Sequence, residues 1–107
     1  MFTRIVECQA KKAKTDVLAK KVRNEVLPTL QKQPGFIDLV VLKDNKDHER
    51  VVCLSFWNSQ ESADDYQREH YDTIVQMLRP QLETNPTLET LQVEISTAHR
   101  IASSRAA

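Results

Sequence analysis

Phe36-Ile37-Asp38-Leu39-Val40-Val41-Leu42-Lys43, then Asp44-Asn45-Lys46-Asp47-His48-Glu49, then Arg50-Val51-Val52-Cys53-Leu54-Ser55-Phe56-Trp57 stand in the middle of a chain of 107 residues. The outer runs are dense in β-branched and aromatic residues, and the interval between them is short and polar. That pattern predicts two antiparallel strands joined as a hairpin. Both runs hold more consecutive apolar residues, Leu39-Val40-Val41-Leu42 and Val51-Val52-Cys53-Leu54, than a sheet with one wet face needs. Strands of this kind tend to be covered on both faces, so the hairpin predicts a sheet with two dry sides.

On the N-terminal side, Pro34-Gly35 closes a helix predicted from about Thr15 to Leu30. Leu18, Val22, Val26 and Leu30 recur every fourth residue, Ala19 and Leu27 widen the stripe, and Lys20, Lys21, Arg23 and Asn24 lie mainly opposite. Thr15 or Asp16 is the expected cap. Pro28 removes a hydrogen bond from the helix interior, so a kink or a separate last turn is expected there. Ahead of the helix, Phe2 to Ala10 alternates, with Phe2, Arg4, Val6 and Cys8 on one face and Thr3, Ile5, Glu7 and Gln9 on the other. Period two predicts a strand.

On the C-terminal side, Asn58 to Leu82 reads as a second helix, opened by a capping box of Asn58 and Glu61 and ended or kinked at Pro80. Thr84-Asn85-Pro86-Thr87 is a loop, and Leu88 to Thr97 alternates through Leu91, Val93 and Ile95. The order is β-α-β-β-α-β, an α+β, ferredoxin-like arrangement. Right-handed crossovers place both helices on one face of a four-stranded antiparallel sheet. The other face calls for a second subunit packed back to back. Residues 1–97 form the expected domain and 98–107 a C-terminal tail.

Lysine plus arginine equals aspartate plus glutamate, 15 against 15. Zero formal charge argues against a nucleic-acid or acidic-membrane partner. No stretch approaches the ~20 apolar residues of a bilayer span, and Met1-Phe2-Thr3-Arg4 shows no signal-peptide core. A cytoplasmic protein is expected. Cys8 and Cys53 fit a reducing compartment and lack metal-site or C-x-x-C spacing. A disulfide between them requires neighbouring strands. With one glycine, the chain has no phosphate-binding loop or dinucleotide fingerprint.

On a wheel of about 100° per residue, Tyr66, Gln67, His70, Ile74, Met77 and Leu78 share one arc of the second helix, with Tyr71 at its edge. His70 lies near the middle of that inward stripe. An imidazole titrates near neutrality and suits proton transfer, although a histidine on an apolar face also serves simply as a core residue. Tyr66, Tyr71 and Ile74 are candidate substrate contacts, with amphipathic packing as the plainer reading of the phenols. Trp57 is expected as a core anchor whose indole N–H can also meet a ligand. Glu7, on the less apolar face of its strand, reads as an ion-pair partner of Arg4, Arg50 or a lysine. His48, His70 and His99 are too scattered to form a metal site.

Gln33-Pro34-Gly35-Phe36, and Leu54-Ser55-Phe56-Trp57-Asn58-Ser59-Gln60-Glu61-Ser62-Ala63 running into Tyr66, resemble the landmarks of the antibiotic biosynthesis monooxygenase domain. The likeness runs from Phe2 to about Thr97, and the motifs mark a turn, a strand end and a helix cap. The resemblance implies a homodimeric α/β barrel with a pocket between sheet and helices in each subunit. It also implies oxygenation of a small electron-rich aromatic or quinol by O₂, with no cofactor and no metal. His70 would then be the base, with Trp57 and Tyr66 as donors or stacking partners. A related haem-degrading branch uses an asparagine on the first strand and a tryptophan and histidine on the second helix. Glu7, Tyr66 and the early His70 depart from that set. An isomerase or tautomerase of a small oxygenated metabolite, and a non-catalytic small-molecule-binding dimer, are the alternatives.

Overall fold

The structure, a computed structural model, describes residues 1–98. His99 and almost all of the expected tail lie outside that range. Four strands, β1 (Phe2–Gln9), β2 (Phe36–Lys43), β3 (Arg50–Trp57) and β4 (Thr87–Gln92), form one antiparallel sheet in the order β2-β3-β1-β4. Helices α1 (15–31) and α2 (60–81) complete the βαββαβ order.

The register aligns one set of side chains across the sheet. Arg4 faces Ser55 and Thr90, Val6 faces Cys53 and Leu88, and Leu39 and Val41 continue those rows on β2. Both helices cover this face, so Cys8, Val51, Trp57, Leu18, Val22, Val26, Leu30, Tyr66, Ile74 and Leu78 make up the core. A bulge at Ile37 lets Phe36 pair with Trp57 while Asp38 pairs with Phe56. Phe36 thereby stays on the core side, edge-on to the Trp57 ring at 5.6 Å. The opposite rows, Ile5 beside Leu54 and Val40, and Glu7 beside Val52 and Leu42, carry no element of the described chain. Glu7 pairs there with Arg50, one of its three expected partners, while Arg4 points to the other side.

Local corrections have physical causes. The second helix is capped by Ser59, whose Oγ accepts from the Ser62 N–H at 3.2 Å, and not by a box of Asn58 and Glu61. Asn58 instead accepts from the Ser62 hydroxyl. Lys14 is the N-cap of α1 and makes no side-chain cap bond. Thr15 is already helical, and its hydroxyl donates to the His48 carbonyl at 2.8 Å. Strand β4 ends at Gln92 and not at Thr97, where Gln92 pairs with Phe2, the first residue of β1. A last bond from Val93 N–H to the Met1 carbonyl closes the ladder.

Each helix has a π turn at its centre: Val22–Val26 in α1 and Gln67–Tyr71 in α2. In such a turn the backbone bonds reach one residue further than in an α-helix. Pro28 sits just after the first, near the start of the final segment Leu27–Gln31, so α1 runs on through it.

Candidate functional site

The space between sheet and helices holds a cavity of about 50 Å³. Val22, Val26 and Leu30 of α1 and Ile74, Val75 and Leu78 of α2 line it from above. Arg4, Val6 and Cys8 of β1, Leu39 of β2, and Cys53 and Ser55 of β3 form its floor, with Tyr66, Tyr71 and Pro86 completing the wall. Of the expected site residues, Tyr66, Tyr71 and Ile74 are therefore brought together around one space.

His70 is not on that wall. An α-helical wheel places it one turn below Tyr66. The π turn spans Gln67–Tyr71, so Tyr71 takes that place and His70 is carried outward. The imidazole is left 38% exposed, with Nε2 3.9 Å from Glu69. It stacks against the Tyr66 ring at 6.1 Å. Trp57, fully buried, lies against the same Tyr66 ring at 5.3 Å. Its indole N–H donates to the Ser55 hydroxyl at 2.9 Å, so that donor is engaged within the core. Ring contacts thus run from Phe36 through Trp57 and Tyr66 to the partly exposed His70.

Arg4 is the feature that sequence reasoning missed. It lies on the core side by strand alternation and is only 3% exposed. Its guanidinium rests 4.9 Å from the centroid of the Tyr66 ring and 4.8 Å from that of Tyr71, and it donates to Gln67 Oε1. Cation–π contacts of this kind contribute roughly 0.5–2 kcal/mol each, more as water is excluded. The π turn is what makes the arrangement possible, since it brings Tyr66, Gln67 and Tyr71 over one strand residue. Two tyrosines five residues apart on the helix, opposite an arginine on the inward face of a strand, were the available signal.

Burial pulls the Arg4 pKa down, and the neighbouring phenols and Asp64 partly restore it. A guanidinium nevertheless stays protonated in proteins. Burial pushes both Tyr66 and Tyr71 up, with Arg4 opposing. Burial likewise raises Cys8 to about 11 and Cys53 to about 12. At neutral pH the wall therefore carries one positive charge, two neutral phenols and two neutral thiols. The Tyr71 hydroxyl is buried and has no hydrogen-bond partner among the described residues. Cys8 and Cys53 are free thiols. No group of three metal-ligating side chains forms among the described residues, and no helix there is long and apolar enough to cross a membrane.

The fold is that of several solved structures. SnoaB, a cofactor-independent oxygenase from Streptomyces nogalater, superposes with a TM-score of 0.73 at 12% identity, covering 90% of this chain and 95% of its own. The monooxygenase ActVA-Orf6 of Streptomyces coelicolor, solved with nanaomycin D, gives 0.68 at 20% identity, covering 89% and 88%. A conserved protein from Methanosarcina mazei Go1 gives 0.72 at 23% identity, covering 88% and 94%. No curated protein matches the chain. The family model for antibiotic biosynthesis monooxygenase matches residues 1–76, which takes in β1, α1, the hairpin and the π turn of α2, and the chain belongs to that family.

Proposed function

We propose that this protein oxygenates a small electron-rich phenol or quinol with O₂, without a cofactor of its own, in the cavity between sheet and helices. The observation that carries the reading is the buried guanidinium of Arg4 in an otherwise apolar cavity, flanked by two protonated phenols. A substrate anion held there gives one electron to O₂, and the resulting radical and superoxide combine at carbon. The peroxide then loses water, so one oxygen atom becomes a carbonyl and the other leaves with two substrate hydrogens. A fixed positive charge in a dry site stabilises the anion far better than water-exposed charge does. Similarity to SnoaB and ActVA-Orf6 supports the reaction class.

In this reading His70 is the base, acting at the rim, where its ring meets both solvent and Tyr66. Tyr66, Tyr71 and Ile74 shape the substrate's seat, and Trp57 backs Tyr66 from the core. The working unit is a homodimer joined through the open sheet face, in a cytoplasm that keeps Cys8 and Cys53 reduced.

Oxygen uptake in chelator-treated buffer, over a panel of quinols and anthrones, tests the proposal. Uptake above background that falls about 10²-fold in Arg4→Met, and falls also in His70→Ala, is expected. No uptake across the panel removes the oxygenase reading. The small cavity favours one second reading. About 50 Å³ is well below the ~300 Å³ of a usual small-molecule site, so a tautomerase of a compact oxygenated metabolite fits with less displacement. Deuterium exchange next to a carbonyl, without O₂ consumption, distinguishes it.

A further inference from the structure

We propose that Arg4 and Tyr71 form a binding site for a compact oxyanion, either the deprotonated oxygen of a phenol or enol, or a small carboxylate. In naming the charged group of the substrate, this inference rests on the oxygenase reading. The anion site itself is testable without turnover.

Among the described residues that line the cavity, Arg4 alone is charged. Among the described residues no carboxylate forms an ion pair with it, and Asp64 is the smallest of the influences on its titration. A guanidinium has five N–H donors. The guanidinium lies against both tyrosine rings, Tyr66 also meets it by a side-chain hydrogen bond, and the neutral Gln67 amide accepts from Nη2, but none of these supplies negative charge. An isolated buried charge is expensive unless it is paired. The second donor is the hydroxyl of Tyr71, a residue of the same wall, buried and with no acceptor among the described residues.

The wall offers no base. Its ionisable groups besides Arg4 are Tyr66 and Tyr71 from α2, Cys8 from β1 and Cys53 from β3. All four are protonated at neutral pH, since burial raises every one of them. A wall that carries the Arg4 charge and hydroxyl donors, with no carboxylate or imidazole among the described residues lining it, selects a ligand that arrives ionised or loses its proton at the rim. The volume of about 50 Å³ exceeds the ~10–15 Å³ that one water needs and suits the oxygen-bearing end of a ligand. The rest of the molecule then lies along the apolar side chains toward Val75 and Pro86.

The probe is 4-nitrophenol, whose anion is coloured, titrated anaerobically against the intact protein, with acetate as competitor. The bound dye should ionise about 1 unit or more below free dye, as an oxyanion beside a guanidinium does. That shift should vanish in Arg4→Met and shrink in Tyr71→Phe, which removes only the unpartnered hydroxyl and serves alone if Arg4→Met does not fold by circular dichroism. Displacement by acetate assigns the site to small carboxylates. A shifted dye that acetate does not displace assigns it to a ring oxyanion. Dye bound without a shift, a shift unchanged in both variants, or no binding of dye or acetate overturns the proposal. A shifted dye together with no O₂ uptake leaves the anion site standing and removes only the oxygenase reading. O₂ uptake without a shifted dye does the reverse.

Discussion

Gly35 has φ of +82°, and a Cβ built there meets Asn58 Oδ1 and Ser62 Oγ at 2.4 Å and Ser62 Cβ at 2.7 Å. Its carbonyl accepts from the Asn58 N–H at 2.8 Å, so the turn into β2 is clasped directly to the start of α2. Gly35→Ala combines left-handed strain with overlap that flexible side chains relieve only in part. A loss of about 2–4 kcal/mol is expected in urea denaturation. Cys8 and Cys53 give a second outcome at this scale. Their thiols are raised from 9.0 to about 11 and about 12 by burial. An unfolded chain therefore releases these protons first, and stability falls as pH rises from the unfolded value through the folded ones. Urea midpoints should decline above about pH 9, and a Cys8→Ala variant should show a shallower decline. Gly35 and Trp57 were legible in the sequence because turn chemistry and a lone tryptophan at a strand end have local signatures. Arg4 was not, because an arginine on a strand reads as surface until the residues covering it are known.

Within the helices, spacing carries more information than an ideal wheel extracts from it. Leu18, Val22, Val26 and Leu30 are all buried, yet four-residue steps on an α-helix drift by about 120° over that length. The π turn at Val22–Val26 absorbs the drift. In α2 the inward residues are Ala63, Tyr66, Tyr71, Ile74 and Leu78, and the one five-residue step falls on the π turn. The existence, order and type of every element followed from periodicity, whereas the direction of His70 depended on this single step. A pair of deletions tests the point. Removing exposed Glu69 turns the Tyr66-to-Tyr71 step into an ordinary α-helical four and keeps both flanking stripes inward. Its cost should stay within about 1 kcal/mol, comparable to that of a surface change. Removing exposed Thr73 rotates everything after it by about 100° and takes Ile74 and Leu78 out of the core. That deletion should cost more than about 3 kcal/mol or abolish cooperative unfolding. Equal losses from the two deletions would show that the π turn does not set the register.

At the scale of the whole molecule, the sheet has one covered face and one open one. Ile5, Val40, Val52, Leu54 and Phe56 are only partly buried on the open face, with Leu42 46% and Leu91 47% exposed at its sides. A contiguous apolar surface of this kind on a small domain marks an association site. A stable interface needs about 800 Å² from each partner. The row Ile5, Leu54 and Val40 crosses the three strands of greatest apolar content, so a charge at its centre opposes any packing there. Sedimentation equilibrium should find a dimer at micromolar concentration for the natural chain. Leu54→Lys should give a monomer that retains the far-ultraviolet spectrum, because this face contributes nothing to the helix-covered core. A natural chain that sediments as a monomer would mean the open face is stable in water or covered by other means. The β2–β3 hairpin would then owe its continuous apolar runs to something other than a second subunit.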